Sequence, residues 1–267
     1  MRVLVAMSGG VDSCAAAVLL KRQGHEVEGA NMLLSDTEGS ASARDLCNKL
    51  EIPFHVFDMQ KEFHKYVTEP FCQSYIDCET PNPCILCNKH LKFGAFYKKA
   101  LEMGFDAIAT GHYARAVNEN GVTFIEKAKC PAKDQSYVLW AVDEDVLSHT
   151  LFPLGEIGSK SEAVSIAKEY GVTVKGESQD ICFVPDGDYA AYITSHTDHI
   201  PSPGRFVDNA AGSLAPIRGL SATLLGKGAA LRSPQAKEYS LSENLRGEIS
   251  PWEMRMSFTE KKSISGP

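Results

Sequence analysis

No apolar run in this 267-residue sequence approaches the ~18 consecutive residues that a membrane-spanning helix needs. The N-terminus also lacks the basic, apolar and small-residue regions of a secretory signal peptide, so the eight cysteines are not expected to form structural disulfides. An excess of positive charge is missing as well, because the formal net charge is −7. Any nucleic-acid partner would therefore have to be held by local basic surface. We expect a soluble, cytoplasmic protein without a membrane partner.

Several lysines could supply such a local surface, although a solvated helix face explains them equally well. They are Lys89, Lys92, Lys98, Lys99, Lys127, Lys129 and Lys133.

Apolar runs alternate with stretches of helical periodicity in the first half of the chain. The runs RVLVAM, VEGANMLL, FHVFDM and FDAIATGH are typical of buried strands. Helices are predicted at 15–23, 43–51 and 62–75, and from the end of a proline-punctuated loop (80–89) to Met103. This alternation predicts an α/β fold with a doubly wound, mostly parallel sheet. The strand ends at Met7 and Thr110 should then open on the same ligand-binding edge.

The second half gives weaker signals. NENGVTFIEK predicts a hairpin with an Asn-Gly turn, and Ser159–Tyr170 predicts an amphipathic helix with a serine cap. The prolines and glycine of HIPSPG (199–204) predict a boundary between domains.

The segment MSGGVDSC (7–14) joins the first predicted strand to the first helix. Such a glycine turn at a helix N-terminus binds anions through free backbone N–H groups, although it can also be a plain turn. It lacks the lysine of Walker-type loops, which reaches the β- and γ-phosphates of ATP. That absence fits chemistry at the α-phosphate, in which pyrophosphate leaves as one unit with help from Mg²⁺ on Asp12.

The segment closely resembles the signature of the PP-loop (N-type) ATP pyrophosphatases, a HUP-like superfamily that includes NAD and GMP synthetases and several tRNA-modifying enzymes. The resemblance implies that ATP phosphates bind to Ala6, Met7, Ser8, Gly9, Gly10, Val11, Asp12 and Ser13.

Four further motifs narrow the resemblance: TPNPCILCNKHLKFGAF, ATGHYAR (109–115), KDQSYVLW (133–140) and ESQDICFV. With the loop, they resemble the tRNA-specific 2-thiouridylases of bacteria and mitochondria, over residues 1 to about 214. The resemblance implies ATP-dependent replacement of the C2 oxygen of the wobble uridine by sulfur, with tRNA as the substrate. It also implies a sulfur-relay protein or cysteine desulfurase as the sulfur donor.

Replacing a carbonyl oxygen by sulfur needs an activated oxygen and a sulfur nucleophile. Adenylation activates the oxygen, and a cysteine persulfide can carry the sulfur. A second cysteine can release it and leave a disulfide. By the resemblance, Cys87 is the catalytic nucleophile and Cys182 the persulfide carrier, each expected in a loop, and Asp12 also belongs to the catalytic set.

The resemblance assigns binding roles to other residues. Met32 would pack near the adenine and Gly111 would line the nucleotide pocket. Contacts with tRNA would come from His112, Lys133, Asp134 and Gln135, and the surface meeting the target base from Pro81, Asn82, Pro83 and Cys84.

Cys84 departs from the pattern, since many relatives carry aspartate there. Cys84, Cys87 and Cys182 could instead hold a [4Fe–4S] cluster whose open iron position binds the transferred sulfide. Zinc is a third and weaker alternative, because a closed structural site usually has four ligands and these thiols supply three. A C-x-x-C that merely packs beside two prolines is a fourth.

The chain also departs from the family beyond Leu214, where APIRGLSATLLGKGAALRSP does not match. We expect an adenylation and thiolation domain at 1–200 and the start of a central domain at 201–214. An atypical, weakly ordered tail (215–267) would stand in place of a C-terminal β-barrel. A reading-frame slip near Leu214 would explain the change.

Two alternatives to the 2-thiouridylase remain open. One is a truncated remnant that binds nucleotide or tRNA without turnover. The other is a different PP-loop adenylating synthetase.

Overall fold

The computed structural model of the chain describes residues 1–34, 39–77, 79–172, 181–184, 187–197, 204–207 and 213–217. Contacts divide the chain into two compact units, Met1–Asp198 and His199–Pro267. The domain limits expected from the sequence stay a prediction.

Most strands of the first unit belong to one parallel sheet. The strands are β1 (Arg2–Ala6), β2 (Glu26–Leu33), β3 (Phe54–Asp58), β4 (Ala107–Ala109), β5 (Ala114–Glu119), β6 (Val122–Lys127) and β7 (Thr150–Leu151). Five of them form the sheet, in the order β3-β2-β1-β4-β7. In this sheet Ala6 pairs with Ala30, and Val5 with Ala109. The carboxyl ends of β1, β2 and β4 therefore lie side by side.

The helices of the first unit are α1 (Val11–Arg22), α2 (Gly39–Lys49), α3 (Gln60–Phe63), α4 (Glu69–Ile76), α5 (Pro83–Cys87), α6 (Phe96–Glu102), α7 (Glu144–Ser148), α8 (Lys160–Lys168) and α9 (Tyr189–His196). Two π-helical segments make longer helical runs: His64–Thr68 joins α3 to α4, and Asn88–Ala95 joins α5 to α6. Among the described residues, no helix has the length and apolar character needed to cross a membrane.

Side chains of β1 alternate between the two faces of the sheet, and each face is covered by helices. Val3 and Val5 belong to a core that includes residues of α1, α2 and α8. Leu4 belongs to a second core with residues of α3 and α6 and of the π segment between α5 and α6. Because successive residues of a strand point to opposite faces, one apolar strand serves both cores. The predicted doubly wound, mostly parallel fold is confirmed.

The hairpin predicted at the Asn-Gly pair is also confirmed. β5 and β6 are antiparallel, and Glu119 pairs with Val122. Asn120 and Gly121 between them have φ of 54° and 87°. Two successive residues with positive φ are what a tight hairpin turn of the favoured twist requires.

The loop expected at 80–89 is wrong in its second part, because α5 begins at Pro83. Proline fits the first position of a helix, since its missing N–H needs no partner there. The Asn82 side chain accepts a hydrogen bond from the Cys84 backbone N–H at 3.2 Å and caps the helix. Cys84 and Cys87 therefore lie on a helix and not in the expected loop.

The serine cap expected for α8 is right in position only. Ser159 occupies the N-cap position, but its side chain makes no capping hydrogen bond. Its hydroxyl lies 2.8 Å from that of Ser161.

The second unit contains an antiparallel pair among its described residues, β8 (Gly204–Val207) and β9 (Ser213–Ile217). Strand β9 runs three residues past Leu214, the position beyond which the sequence no longer resembles the family. Of the tail expected at 215–267, residues 215–217 belong to β9, and residues 218–267 lie outside the described residues.

Candidate functional site

The glycine loop lies between β1 and α1, at the carboxyl edge of the sheet. Gly9 has φ of 80°, and a Cβ there would lie 2.6 Å from Ser42 Oγ and 2.9 Å from the Ala43 nitrogen. Only glycine therefore fits both the backbone and the space. Gly10 is the N-cap of α1, whose first N–H groups have no partners within the helix. The loop thus has the conformation expected of an anion site at a helix N-terminus, and anion binding itself stays a prediction.

Serine hydroxyls hold the loop in shape. Ser13 Oγ donates to the Gly10 carbonyl at 3.0 Å and accepts from the Ser8 backbone N–H at 3.3 Å. Ser8 Oγ lies 3.3 Å from Ser13 Oγ and accepts from the Gly10 N–H at 3.4 Å. Nearby, the buried Asn31 side chain donates to the Met7 carbonyl at 2.8 Å and joins the loop to β2.

Asp12, in the first turn of α1, collects contacts from two distant parts of the chain. The Lys160 ammonium lies 2.6 Å and 2.7 Å from its two carboxylate oxygens. The Tyr113 hydroxyl donates to Asp12 Oδ1 at 2.9 Å. Gly111 packs directly against the Asp12 backbone, because a Cβ there would lie 2.9 Å from the Asp12 carbonyl carbon. Of these four residues, the sequence indicated Asp12 and Gly111. It gave no signal for Lys160, and Tyr113 appeared only within a motif.

The thiols lie beside a second cation. Cys84 and Cys182 are exposed and Cys87 is half-buried. Burial raises the pKa of Cys87, the positive charge of Lys92 lowers it, and Cys182 and Cys84 raise it further. Although Cys182 is exposed as a residue, the loss of solvent around its thiol raises the pKa of Cys182. The positive charge of Lys92 opposes this shift too. The two catalytic candidates are therefore near each other and share Lys92 as a neighbour.

A π-helical segment helps to place Lys92 beside Cys87. Cys87 immediately precedes the π segment Asn88–Ala95, which contains Lys92. Because hydrogen bonds in a π-helix span five residues, residues five apart come to one side of the helix. The Lys92 ammonium also lies 3.4 Å from His112 Nε2.

The residues expected to contact tRNA have internal roles in this structure. His112 is 9% exposed, and its Nδ1 lies 2.7 Å from Thr110 Oγ1. Asp134 accepts hydrogen bonds from the Ala128 N–H at 2.8 Å and the Ser136 hydroxyl at 2.7 Å. The Gln135 side-chain oxygen accepts a hydrogen bond from the Tyr113 backbone N–H at 3.0 Å, and the Gln135 backbone N–H donates to the Tyr113 carbonyl at 2.8 Å. Direct RNA contacts by these residues stay a prediction.

The remaining predicted residues differ in their exposure. Met32 is half-buried near the end of β2 and packs against the second core, whereas Asn82 is exposed and Pro83 is buried. Lys133 and Pro81 are half-buried. Their contacts with adenine, the target base or RNA also stay predictions.

The other described cysteines have packing roles. Cys14, Cys47 and Cys72 are buried, and burial raises the pKa of each to about 11. Within the described ranges, no three His, Cys, Asp or Glu side chains converge as ligands of a metal ion. The possible metal or [4Fe–4S] site at Cys84, Cys87 and Cys182 therefore stays a prediction.

Comparisons with known proteins identify the family of the chain. The profile of the family "tRNA methyl transferase HUP domain" matches residues 1–186. The tRNA-specific 2-thiouridylase MnmA of Syntrophotalea carbinolica is 43% identical over 228 residues, which cover 81% of this chain and 64% of the relative. The same enzyme of Clostridium botulinum strain Alaska E43 is 43% identical over 242 residues, covering 85% and 67%. The chain thus spans about two thirds of the length of these relatives.

Two solved structures are distantly similar. A "predicted subunit of tRNA methyltransferase" from Methanocaldococcus jannaschii has a TM-score of 0.42 at 18% identity, covering 63% of this chain and 76% of that one. An NH3-dependent NAD synthetase from Campylobacter jejuni has a TM-score of 0.36 at 18% identity, covering 63% of each chain.

Proposed function

Because the chain belongs to the family of tRNA-specific 2-thiouridylases, we propose that it makes 2-thiouridine at the wobble position of tRNA. ATP adenylates the C2 oxygen of the uridine, sulfur from a cysteine persulfide replaces that oxygen, and AMP and pyrophosphate are released. One observation carries the proposal: the same chain holds a phosphate-binding loop without lysine and a pair of neighbouring thiols, Cys87 and Cys182, that share Lys92. A synthetase that forms amides would need no such thiols.

The glycine loop would carry out the first half of the reaction, the adenylation of the uridine oxygen. The backbone N–H groups at the start of α1, with the hydroxyls of Ser8 and Ser13, would bind the phosphates. The uridine oxygen attacks the α-phosphorus, the bond to the β-phosphate oxygen breaks, and pyrophosphate leaves. Asp12 and the two hydroxyls are hard oxygen ligands of the kind Mg²⁺ prefers, and the ion would neutralise phosphate charge when bound. Met32 and Gly111 would line the nucleotide pocket.

The thiols would carry out the second half, the replacement of the activated oxygen by sulfur. The outer sulfur of a Cys182 persulfide attacks C2, and AMP leaves with the electron pair of the C2–O bond. The Cys87 thiolate then attacks the Cys182 sulfur, and the electron pair of the broken S–S bond becomes part of the new thiocarbonyl. A Cys87–Cys182 disulfide remains and is cleared by a cellular reductant. A [4Fe–4S] cluster on Cys84, Cys87 and Cys182 is the alternative carrier of the sulfur.

The partners follow from this chemistry. The target base must leave the anticodon stack before its C2 atom can react. Contacts with phosphates would supply most of the affinity for the anticodon region. Pro81, Asn82 and Pro83 precede the thiols and would meet the base, while Lys133 and neighbouring residues would face the backbone. A sulfur-relay protein or cysteine desulfurase would load Cys182. We place the reaction in the cytoplasm, together with its tRNA and reductants.

The test combines the purified chain with ATP, unmodified tRNA and a cysteine desulfurase with cysteine. AMP, pyrophosphate and 2-thiouridine are quantified separately, with a tRNA carrying cytidine at the wobble position as the substrate control. We expect tRNA-dependent pyrophosphate release and thiolation. Formation of ADP and orthophosphate would refute the proposal. Nucleotide or tRNA binding without any turnover would support the remnant.

Three serine variants separate the two halves. Cys87→Ser and Cys182→Ser should still release pyrophosphate but lose thiolation. Cys84→Ser, on the same helix as Cys87 but exposed, is the matched control and should retain both activities. Loss of thiolation in all three variants would favour a three-thiolate cluster instead.

A further inference from the structure

Lys160 holds the Asp12 carboxylate, and this pair lies within the proposed phosphate site. The two residues are 148 positions apart in the sequence. A carboxylate in the first turn of a phosphate-binding helix repels a triphosphate unless a cation accompanies it. Neither the loop nor α1 as far as Leu20 contains a lysine or arginine. Besides Mg²⁺, a cationic side chain at this position therefore has to come from another part of the chain.

The position of Lys160 is set by packing rather than by chance contact at the surface. It is the first residue of α8, and its side chain is 22% exposed. The buried residues Ala163 and Ile166 of α8 belong to the same core as α1. The ammonium also lies 5.6 Å from the centre of the Tyr113 ring, whose hydroxyl donates to the same Asp12. Lys160 is thus anchored from its helix, from the ring and from the carboxylate.

We propose that Lys160 binds the β- and γ-phosphate oxygens of ATP, and so replaces the lysine that the loop lacks. Asp12 and Tyr113 hold it at the mouth of the loop. An ammonium carries three N–H donors, so it can keep its two contacts with Asp12 and donate a third hydrogen bond to a phosphate oxygen. The lysine then stabilises the pyrophosphate as it leaves. This inference rests on the proposed function, because it assumes that the loop binds ATP.

The first test is nucleotide binding by the full chain, measured by calorimetry with Mg²⁺ and ATP, inorganic pyrophosphate or AMP. Lys160→Met should weaken ATP and pyrophosphate binding by about tenfold or more, the loss expected for a charge-assisted hydrogen bond. AMP binding should change less than about twofold, since AMP lacks both phosphates. Lys160→Arg should retain part of the affinity. Lys168→Met is the matched control, since Lys168 is exposed in the last turn of the same helix.

A second measurement uses the wild-type protein and does not depend on the folding of a variant. Lysines are acylated with a small amine reagent, and the modification of Lys160 is quantified by mass spectrometry. Pyrophosphate should protect Lys160 whereas AMP should not, and Lys168 should be modified equally in both cases. Equal modification of Lys160 with and without pyrophosphate would overturn the inference.

The outcomes distinguish a failure of the Lys160 inference from a failure of the proposed function. If the wild-type chain binds ATP and Lys160→Met keeps the wild-type ratio of ATP to AMP affinity, Lys160 only clamps α8 to α1 and the inference fails alone. If the wild-type chain binds no ATP, the proposed function and the inference fail together.

Discussion

The Lys92 ammonium lies 3.4 Å from His112 Nε2, and this contact determines which ring nitrogen of His112 carries the proton. An ammonium can only donate, so Nε2 must accept. The proton is then on Nδ1, which donates to Thr110 Oγ1 at 2.7 Å. Burial first, and the charge of Lys92 second, lower the pKa of His112 well below its ordinary value. A neutral histidine at a strand end therefore orients the cation that faces both thiols.

Lys92 should control the reactivity of the two thiols. Burial raises the pKa of Cys87, Lys92 opposes that shift, and the facing thiols Cys84 and Cys182 add to it. Alkylation of Cys87 should therefore rise with pH in the wild type. Lys92→Met should move the curve to higher pH and slow alkylation at pH 8 by about three- to tenfold, since one pKa unit is a factor of ten.

The measurement is the pH dependence of iodoacetamide labelling, followed for each thiol by mass spectrometry. Lys89→Met is the control, because Lys89 lies on the same π segment and is exposed. Identical curves for wild type and Lys92→Met would contradict the assignment.

His112 should make the fold sensitive to acid. Its pKa is lowered in the folded state, so the unfolded chain takes up a proton that the folded chain excludes. Stability is thus fully present above the ordinary pKa near 6.5 and falls as the pH drops below it, by up to about 1.4 kcal/mol per pH unit. Urea denaturation at pH 7, 6 and 5 should show this loss.

The variant His112→Gln should give a flatter pH dependence, at some cost in stability at pH 7. His149→Gln is the control, because His149 is exposed. If wild type and His112→Gln lose stability equally between pH 7 and 5, His112 is not the group responsible.

Gly9→Ala should impair ATP binding more than backbone strain alone explains. Gly9 and Gly24 have similar φ, 80° and 83°, but a Cβ at Gly24 meets nothing within 4 Å. Gly24→Ala should therefore cost only the strain of about 1–2 kcal/mol, with ATP binding intact. Gly9→Ala adds a clash with Ser42 and Ala43, displaces the loop, and should reduce ATP affinity by at least about tenfold. Thermal unfolding and calorimetry separate the two effects, and equal ATP affinity in both variants would contradict the close packing of the loop.

Asn82→Ala should loosen the start of the helix that carries the thiols. Its side chain accepts from the Cys84 N–H, and loss of such a cap costs about 1 kcal/mol. We expect slower thiolation. Ser159→Ala is the comparison, because Ser159 occupies an N-cap without a capping bond and its loss should cost nothing measurable in denaturation. A stability loss in Ser159→Ala as large as in Asn82→Ala would contradict this account of the caps.

Local features of the fold could be predicted because they depend on residues close together in the chain. Buried strands, the glycine loop at the start of α1 and the Asn120–Gly121 turn follow from apolar periodicity and from the backbone freedom of glycine and asparagine. The helix that starts at Pro83 was missed because two prolines favour a loop. The second proline, however, lies at a position where a helix needs no N–H.

The fold class, the phosphate loop and the two thiol segments can be inferred from the chain alone, since each depends on residues that are neighbours in the sequence. The contact of Lys160 with Asp12, that of Lys92 with His112, and the effect of the Lys92 charge on both thiols are evident only in the three-dimensional structure. Those contacts depend on the parallel register of β1 with β4, on the packing of α8 against α1, and on the π-helical turn after Cys87. Such long-range geometry arises when separate elements bury their apolar faces together, and no local pattern of residues records it.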